Sequence, residues 1–254
     1  MTTTATTTTL RVPMDPMRKT ALVAGILYLV TFVGSIPALA LYHNILHDPH
    51  YLLGHASDTG VLWGAVGEVI CALAGIGTAV ALYVVAKRHS QTSALGFVTS
   101  RVIEAAMIMV GVLSVLSLVT LHKAGASGAD AASMMTTGRS LVALHDWTFL
   151  FGPGLMPAIN ALCIATVMYR TRLIPRIIPT IGLIGAPMLI LSFTATLFGA
   201  WDQVSTISFF ATLPIAAWEL AFGVWMTFKG FKPSAVAELP AVIAAPPARI
   251  LVNA

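Results

Sequence analysis

Six long apolar stretches dominate the chain: residues 20–42, 60–86, 95–121, 140–169, 177–200 and 207–228. A helix rises about 1.5 Å per residue, so about 20 apolar residues are needed to cross a hydrocarbon core about 30 Å thick. Every stretch is long enough to do so. None alternates with a period of two, which argues against a transmembrane barrel. In lipid an isolated segment satisfies its own backbone only as a helix. The expected fold is therefore all-α, a polytopic transmembrane helical bundle with six spans. Charged residues make up 9% of the chain and hydrophobic residues 57%, whereas a soluble domain carries about 25% charged residues. That balance excludes a soluble globular enzyme, a disordered chain and a disulfide scaffold. The net charge of +4 is no phosphate-binding face, because its basic residues are strung between apolar runs.

The same basic residues set an expected orientation. Arg11, Arg18 and Lys19 precede the first stretch, Lys87 and Arg88 follow the second, and Arg170, Arg172 and Arg176 follow the fourth. Lys229, Lys232 and Arg249 follow the sixth. Opposite these eleven stand only Lys123 and Arg139, and Arg101 lies inside a stretch. The positive-inside rule then places both termini in the cytoplasm of a cytoplasmic (inner) membrane protein. Residues 1–19 are Thr-rich without apolar periodicity and are expected to be a disordered lead. Residues 229–254, rich in Ala and Pro, are expected to be a flexible tail. Ala38-Leu39-Ala40 resembles a signal-peptidase site, but the apolar region before it is long for a signal peptide, so an uncleaved first helix is expected. Cys71 and Cys163 fall inside spans, where thiols behave as small hydrophobes. No dinucleotide, nucleotide, zincin or hydrolase motif is present, and no cofactor is expected.

The informative residues are charges inside the spans. Glu68, Glu104, Asp146 and Glu219 are joined there by Arg101 and His145. A charge at mid-membrane costs about 2.5–3.5 kcal/mol, so such groups face the bundle interior and find partners. Glu104 and Glu219 each lie nine residues from the same side of the membrane, about 14 Å deep. Arg101, one turn before Glu104, shares its face. These three are expected to form one cluster, and Glu68, His145 and Asp146 another in the opposite half. Gly64, Glu68, Cys71 and Gly75 make a small-residue stripe, as do Ser100, Glu104, Gly111 and Ser114; such stripes let helices approach closely. An ion pair that only holds spans together is the plain reading, with ligand, proton or catalytic roles beside it. Gly152-Pro153-Gly154 with Pro157 predicts a break near mid-span, either a simple kink or a broken helix lining a site. His43, His47, His50 and His55 crowd one loop, and His43 and His47 at i, i+4 are candidates for metal ligands; a wet interfacial loop is the expected reading.

Four segments carry a family resemblance: MRKTALVAGILYLVTFVGSIPA, SRVIEAAMIMVG with Arg101 and Glu104, LVALHDWTFLFGPGL with His145, and YRTRLIPRIIPTIGLIGAP with Pro175 and Arg176. Over residues 17–232 the chain resembles a bacterial integral membrane family known as a domain of unknown function, DUF4386. The resemblance implies a multi-span membrane protein and carries no activity with it.

Three functions remain open on these residues. The first is a non-enzymatic protein that uses a polar cluster inside the bundle, with Arg101, Glu104, His145, Asp146 and Glu219 as contacts, to bind a small apolar or lipid-like ligand or a protein partner. The second is a membrane-embedded enzyme using Glu68, Glu104 or Glu219 as general acid or base on an isoprenoid or lipid. The third is a proton-coupled carrier, which at this size would act as a homodimer. The partners expected are the lipid bilayer and such a ligand or protein, and no nucleic acid.

Overall fold

The computed structural model of the protein describes residues 14–239 except Pro49, His55 and 126–128. Within them the chain is helical and contains no strand. The helices are α1 (Pro16–His47), α2 (Thr59–Ala86), α3 (Gln91–Ala124), α4 (Ala129–Phe151), α5 (Met156–Thr171), α6 (Ile177–Leu197), α7 (Thr206–Phe228) and a short α8 (Pro233–Ala237), with a 3-10 turn at Tyr51–Leu53. With α4 and α5 taken as one interrupted span, six segments are long and apolar enough to cross a membrane. The protein is a six-span helical bundle.

Helices α1, α2, α3, α5, α6 and α7 pack in that order into a closed ring, α7 returning to α1. Helix α4 packs mainly on α3, outside the ring. Glycine permits a close approach where α1 crosses α2: a Cβ on Gly34 would come within 2.5 Å of the Gly67 carbonyl oxygen. The outward faces carry Val33, Trp63, Val80, Leu191 and Phe228, all exposed, as helices bathed in lipid tails require.

Two apolar clusters bracket the bundle. One, toward the termini, includes Tyr28, Leu82, Phe97, Met168, Trp218 and Phe222. The other, at the far face, includes Tyr42, Tyr51, Val61, Val115 and Leu118. The polar residues of the spans lie between them.

Three boundaries differ from the sequence reading. Helix α1 starts at Pro16, inside the stretch expected to be a disordered lead, because Asp15 caps it by accepting from the Arg18 amide at 3.1 Å. Arg18 then donates to the Met226 and Thr227 carbonyls at 2.9 and 2.7 Å. There it satisfies orphan carbonyls at the end of α7 and complements the helix dipole. The tail expected to be flexible begins with an ordered segment: the Lys232 amide donates to Leu173 O at 2.8 Å, Trp225 Nε1 donates to Gly230 O at 3.0 Å, and Phe231 and Ala235 are buried. Residues 1–13 and 240–254 lie outside the described residues. Finally, α4 begins at Ala129, eleven residues before the apolar stretch does. Its first turns carry Thr136, Thr137 and Ser140, whose hydroxyls donate to carbonyls four residues back, so polar residues continue the helix beyond its apolar part.

Candidate functional site

The break expected in the fourth span is present. Helix α4 ends at Phe151 and α5 starts at Met156. Pro153 and Pro157 have no amide hydrogen to donate, and the intervening amides form turn bonds instead, Gly154 N to Phe149 O at 2.9 Å and Met156 N to Gly152 O at 2.9 Å. Helix α5 has 16 residues, so it fills only about 24 Å of the ring's height. Beyond the break the chain leaves the ring and lies along α3 as α4. A cavity of about 710 Å³ occupies the interior beside this break. Its walls come from α1, α2, α3, α6, α7 and the α6–α7 loop, with Pro153, Gly154 and Pro157 among them.

One wall holds the first polar cluster. Arg101 is 3% exposed. Its Nη1 donates to Glu104 Oε2 at 3.0 Å and its Nη2 to Glu219 Oε1 at 2.6 Å. Sequence reasoning expected these three together, and the structure joins them across α3 and α7. It adds partners that the reading did not name as site residues. Asn160 of α5 donates to the same Glu104 oxygen at 2.6 Å and accepts from Ser100 Oγ at 2.5 Å. Tyr28 of α1 lies under the guanidinium, 5.0 Å from ring centroid to Cζ, a cation–π contact in a dry setting. Four helices thus converge on one arginine. An Asn inside an apolar span was itself a readable signal, since buried amides in membrane helices bond across to neighbours.

The second cluster is only partly assembled. Glu68 of α2 lines the same cavity. It also lines a cleft of about 10 Å³ with Gly111, His145 and Thr148, and the two spaces share Glu68, Ile108, Phe149 and Pro153 as wall residues. A cleft of that size matches about one water. Glu68 forms no ion pair among the described residues. The His145 ring lies edge-on to Tyr42 at 6.0 Å and stacks with Phe149 at 6.1 Å. Asp146 departs from the expected trio. Its oxygen lies 3.3 Å from His145 Nδ1, but its side chain is 62% exposed and does not line the cavity. On a helix, neighbouring residues point about 100° apart, so His145 and Asp146 cannot both face inward.

Glu68 therefore faces the same space as the Arg101 cluster, and His145 borders only the adjoining cleft. Cys71, one turn from Glu68, lines the larger space too, and neither Cys71 nor Cys163 is paired. At the far end the α6–α7 loop contributes Gln203, whose buried Nε2 has no hydrogen-bond partner among the described residues.

His43 and His47, expected in a loop, lie in the last turns of α1, and their arrangement differs from a chelate. The His43 and His47 rings stack at 4.8 Å, and His47 Nδ1 lies 3.0 Å from the His43 carbonyl oxygen. No group of three metal-ligating side chains occurs among the described residues; His55 lies outside them. The polar contacts at that face are elsewhere: Asp58 Oδ1 accepts from Tyr51 Oη at 2.8 Å and lies 2.8 Å from His122 Nδ1. Burial and the neighbouring Asp58 push the Tyr51 phenol well above its ordinary range.

A family model described as a domain of unknown function (DUF4386) matches residues 23–230. No curated protein and no solved structure matches the chain.

Proposed function

The chain belongs to the DUF4386 family, and from that premise we propose that it is a multi-pass protein of the cytoplasmic membrane that binds a small amphipathic ligand in its intramembrane cavity. The observation that carries this reading is the cavity itself: about 710 Å³ lined by Glu68, Arg101, Glu104 and Glu219 together with apolar residues. Ligand sites of small molecules are concave spaces of about 300–1,000 Å³, mostly apolar, with a few convergent polar groups. The basic residues that flank the spans, eleven on the side of the termini, support cytoplasmic termini. A purely structural ion pair needs no adjoining space, and here the Arg101 cluster and Glu68 border one.

A second reading is favoured by the break at Gly152–Pro157, which lines the same cavity. Interrupted helices at mid-membrane form the substrate sites of many carriers. In an enzymatic reading the proton-transfer role falls to Glu68, the one of the three wall carboxylates that is not tied to Arg101.

The test is a thermal-shift screen of amphiphiles on protein in lipid discs. A ligand held only by the folded state raises Tm. Compounds that raise Tm in the wild type but not in Ala216→Trp, which fills the cavity from α7, support the reading. Compounds that shift both proteins alike contradict it.

A further inference from the structure

We infer that the ligand is an organic cation, a compact apolar body carrying one positive charge; the inference rests on the cavity being a ligand site. The wall charges set the class. Three carboxylates, Glu68, Glu104 and Glu219, face the space against a single guanidinium. That guanidinium is already committed, since Arg101 gives Nη1 to Glu104 and Nη2 to Glu219. Its remaining Nε is buried and has no hydrogen-bond partner among the described residues, a single donor against three carboxylates. An anionic head would have to displace a carboxylate from Arg101 and would meet the negative field of Glu68. A neutral body offers Glu68 no charged partner, so in that low-dielectric space the carboxyl keeps its proton and contributes no charge to binding.

A cation displaces nothing from Arg101 and can pair with the Glu68 carboxylate directly. Glu68 forms no ion pair among the described side chains, although His145 borders the adjoining cleft, so its carboxylate is open to a cation in the larger space. The walls also present Phe32, Phe149 and Phe209, whose ring faces attract cations. Next to Glu68 the wall is made of Ala72 and Gly75, small enough to leave room at the carboxylate. Discrimination against anions then comes from repulsion built into the walls as well as from attraction.

Three near-isosteric probes separate charge from shape: tetraphenylphosphonium, tetraphenylborate and neutral tetraphenylsilane. Each is equilibrated with protein in lipid discs, with empty discs subtracted. Tetraphenylphosphonium is expected to bind the wild type at least tenfold more tightly than Glu68→Gln, with the borate and the silane bound no better than by empty discs. Ala216→Trp keeps every carboxylate but closes the space, and is expected to lose the cation as well. Equal cation binding by the wild type and Glu68→Gln overturns the inference. Preference for the borate or the silane, lost in Ala216→Trp, overturns the cation class while the cavity reading stands. Retention of none of the three contradicts the cavity reading from which the inference starts.

Discussion

Arg101 Nη2 lies 2.6 Å from Glu219 Oε1, joining α3 to α7 although 118 residues separate the two in sequence. The pair is nearly dry, with the side chains 4% and 14% exposed. Removing one partner of a buried pair strands the other charge and costs about 3–5 kcal/mol. Arg101→Met strands two carboxylates, Glu219→Gln none, since Glu104 still balances Arg101. Thermal unfolding in detergent is therefore expected to show a much larger Tm loss for Arg101→Met. Equal losses would contradict the shared-guanidinium geometry.

Asn160 couples Ser100 to Glu104. Asn160→Ala leaves buried partners unmet and is expected to cost about 1–3 kcal/mol. Ser100→Ala in the Asn160→Ala background should cost less than in the wild type, because groups in one network are not additive. Additive costs would place the two residues in separate interactions.

The α1–α2 crossing depends on the absence of a Cβ. Gly34→Ala would press on the Gly67 carbonyl and is expected to cost about 1–3 kcal/mol through forced displacement. Gly60→Ala meets only the Leu41 side chain at 3.5 Å, so it serves as the control and should leave Tm within a degree or two of the wild type. A neutral Gly34→Ala would mean that the helices sit farther apart.

At the far face Tyr51 donates to Asp58, and its folded pKa lies above the unfolded value. The folded state therefore holds the phenolic proton where the unfolded state has lost it. That stability is complete below about pH 10 and is lost as pH rises through the folded pKa. Above pH 10 the wild type is expected to lose Tm more steeply than Tyr51→Phe. Parallel alkaline limbs would show that Tyr51 contributes nothing there.

Orientation is tested by labelling. In a background with Cys71 and Cys163 replaced by Ala, Ala124→Cys at the end of α3 is expected to react with an impermeant maleimide in intact cells. His89→Cys, between α2 and α3, should react only after permeabilisation. The reverse pattern places the termini outside.

The spans were legible because lipid leaves so few choices: apolar runs of sufficient length become helices. The Arg101–Glu104–Glu219 cluster was legible for a related reason, since equal depth and a shared face leave few partners for charges in hydrocarbon. What the sequence withheld was lateral packing. Depth places Glu68, His145 and Asp146 at similar levels, but only the rotation of α4 on α3 decides that His145 faces Glu68 and Asp146 does not. Helix order in the ring likewise decides that Asn160 reaches Glu104 and that both acid sites border one cavity. The ordered segment after Lys229 was hidden by its Ala and Pro content, and what anchors it is a distant backbone carbonyl, that of Leu173.

Untargeted mass spectrometry of protein extracted in native lipid discs shows whether the cavity holds a ligand. Wild type and Ala216→Trp, matched for folded yield, are compared for retained small molecules. A molecule enriched on the wild type and absent from the variant is the result expected from a ligand site between Glu68 and Glu219. Identical spectra from the two proteins would contradict it and leave the buried charges as struts between helices.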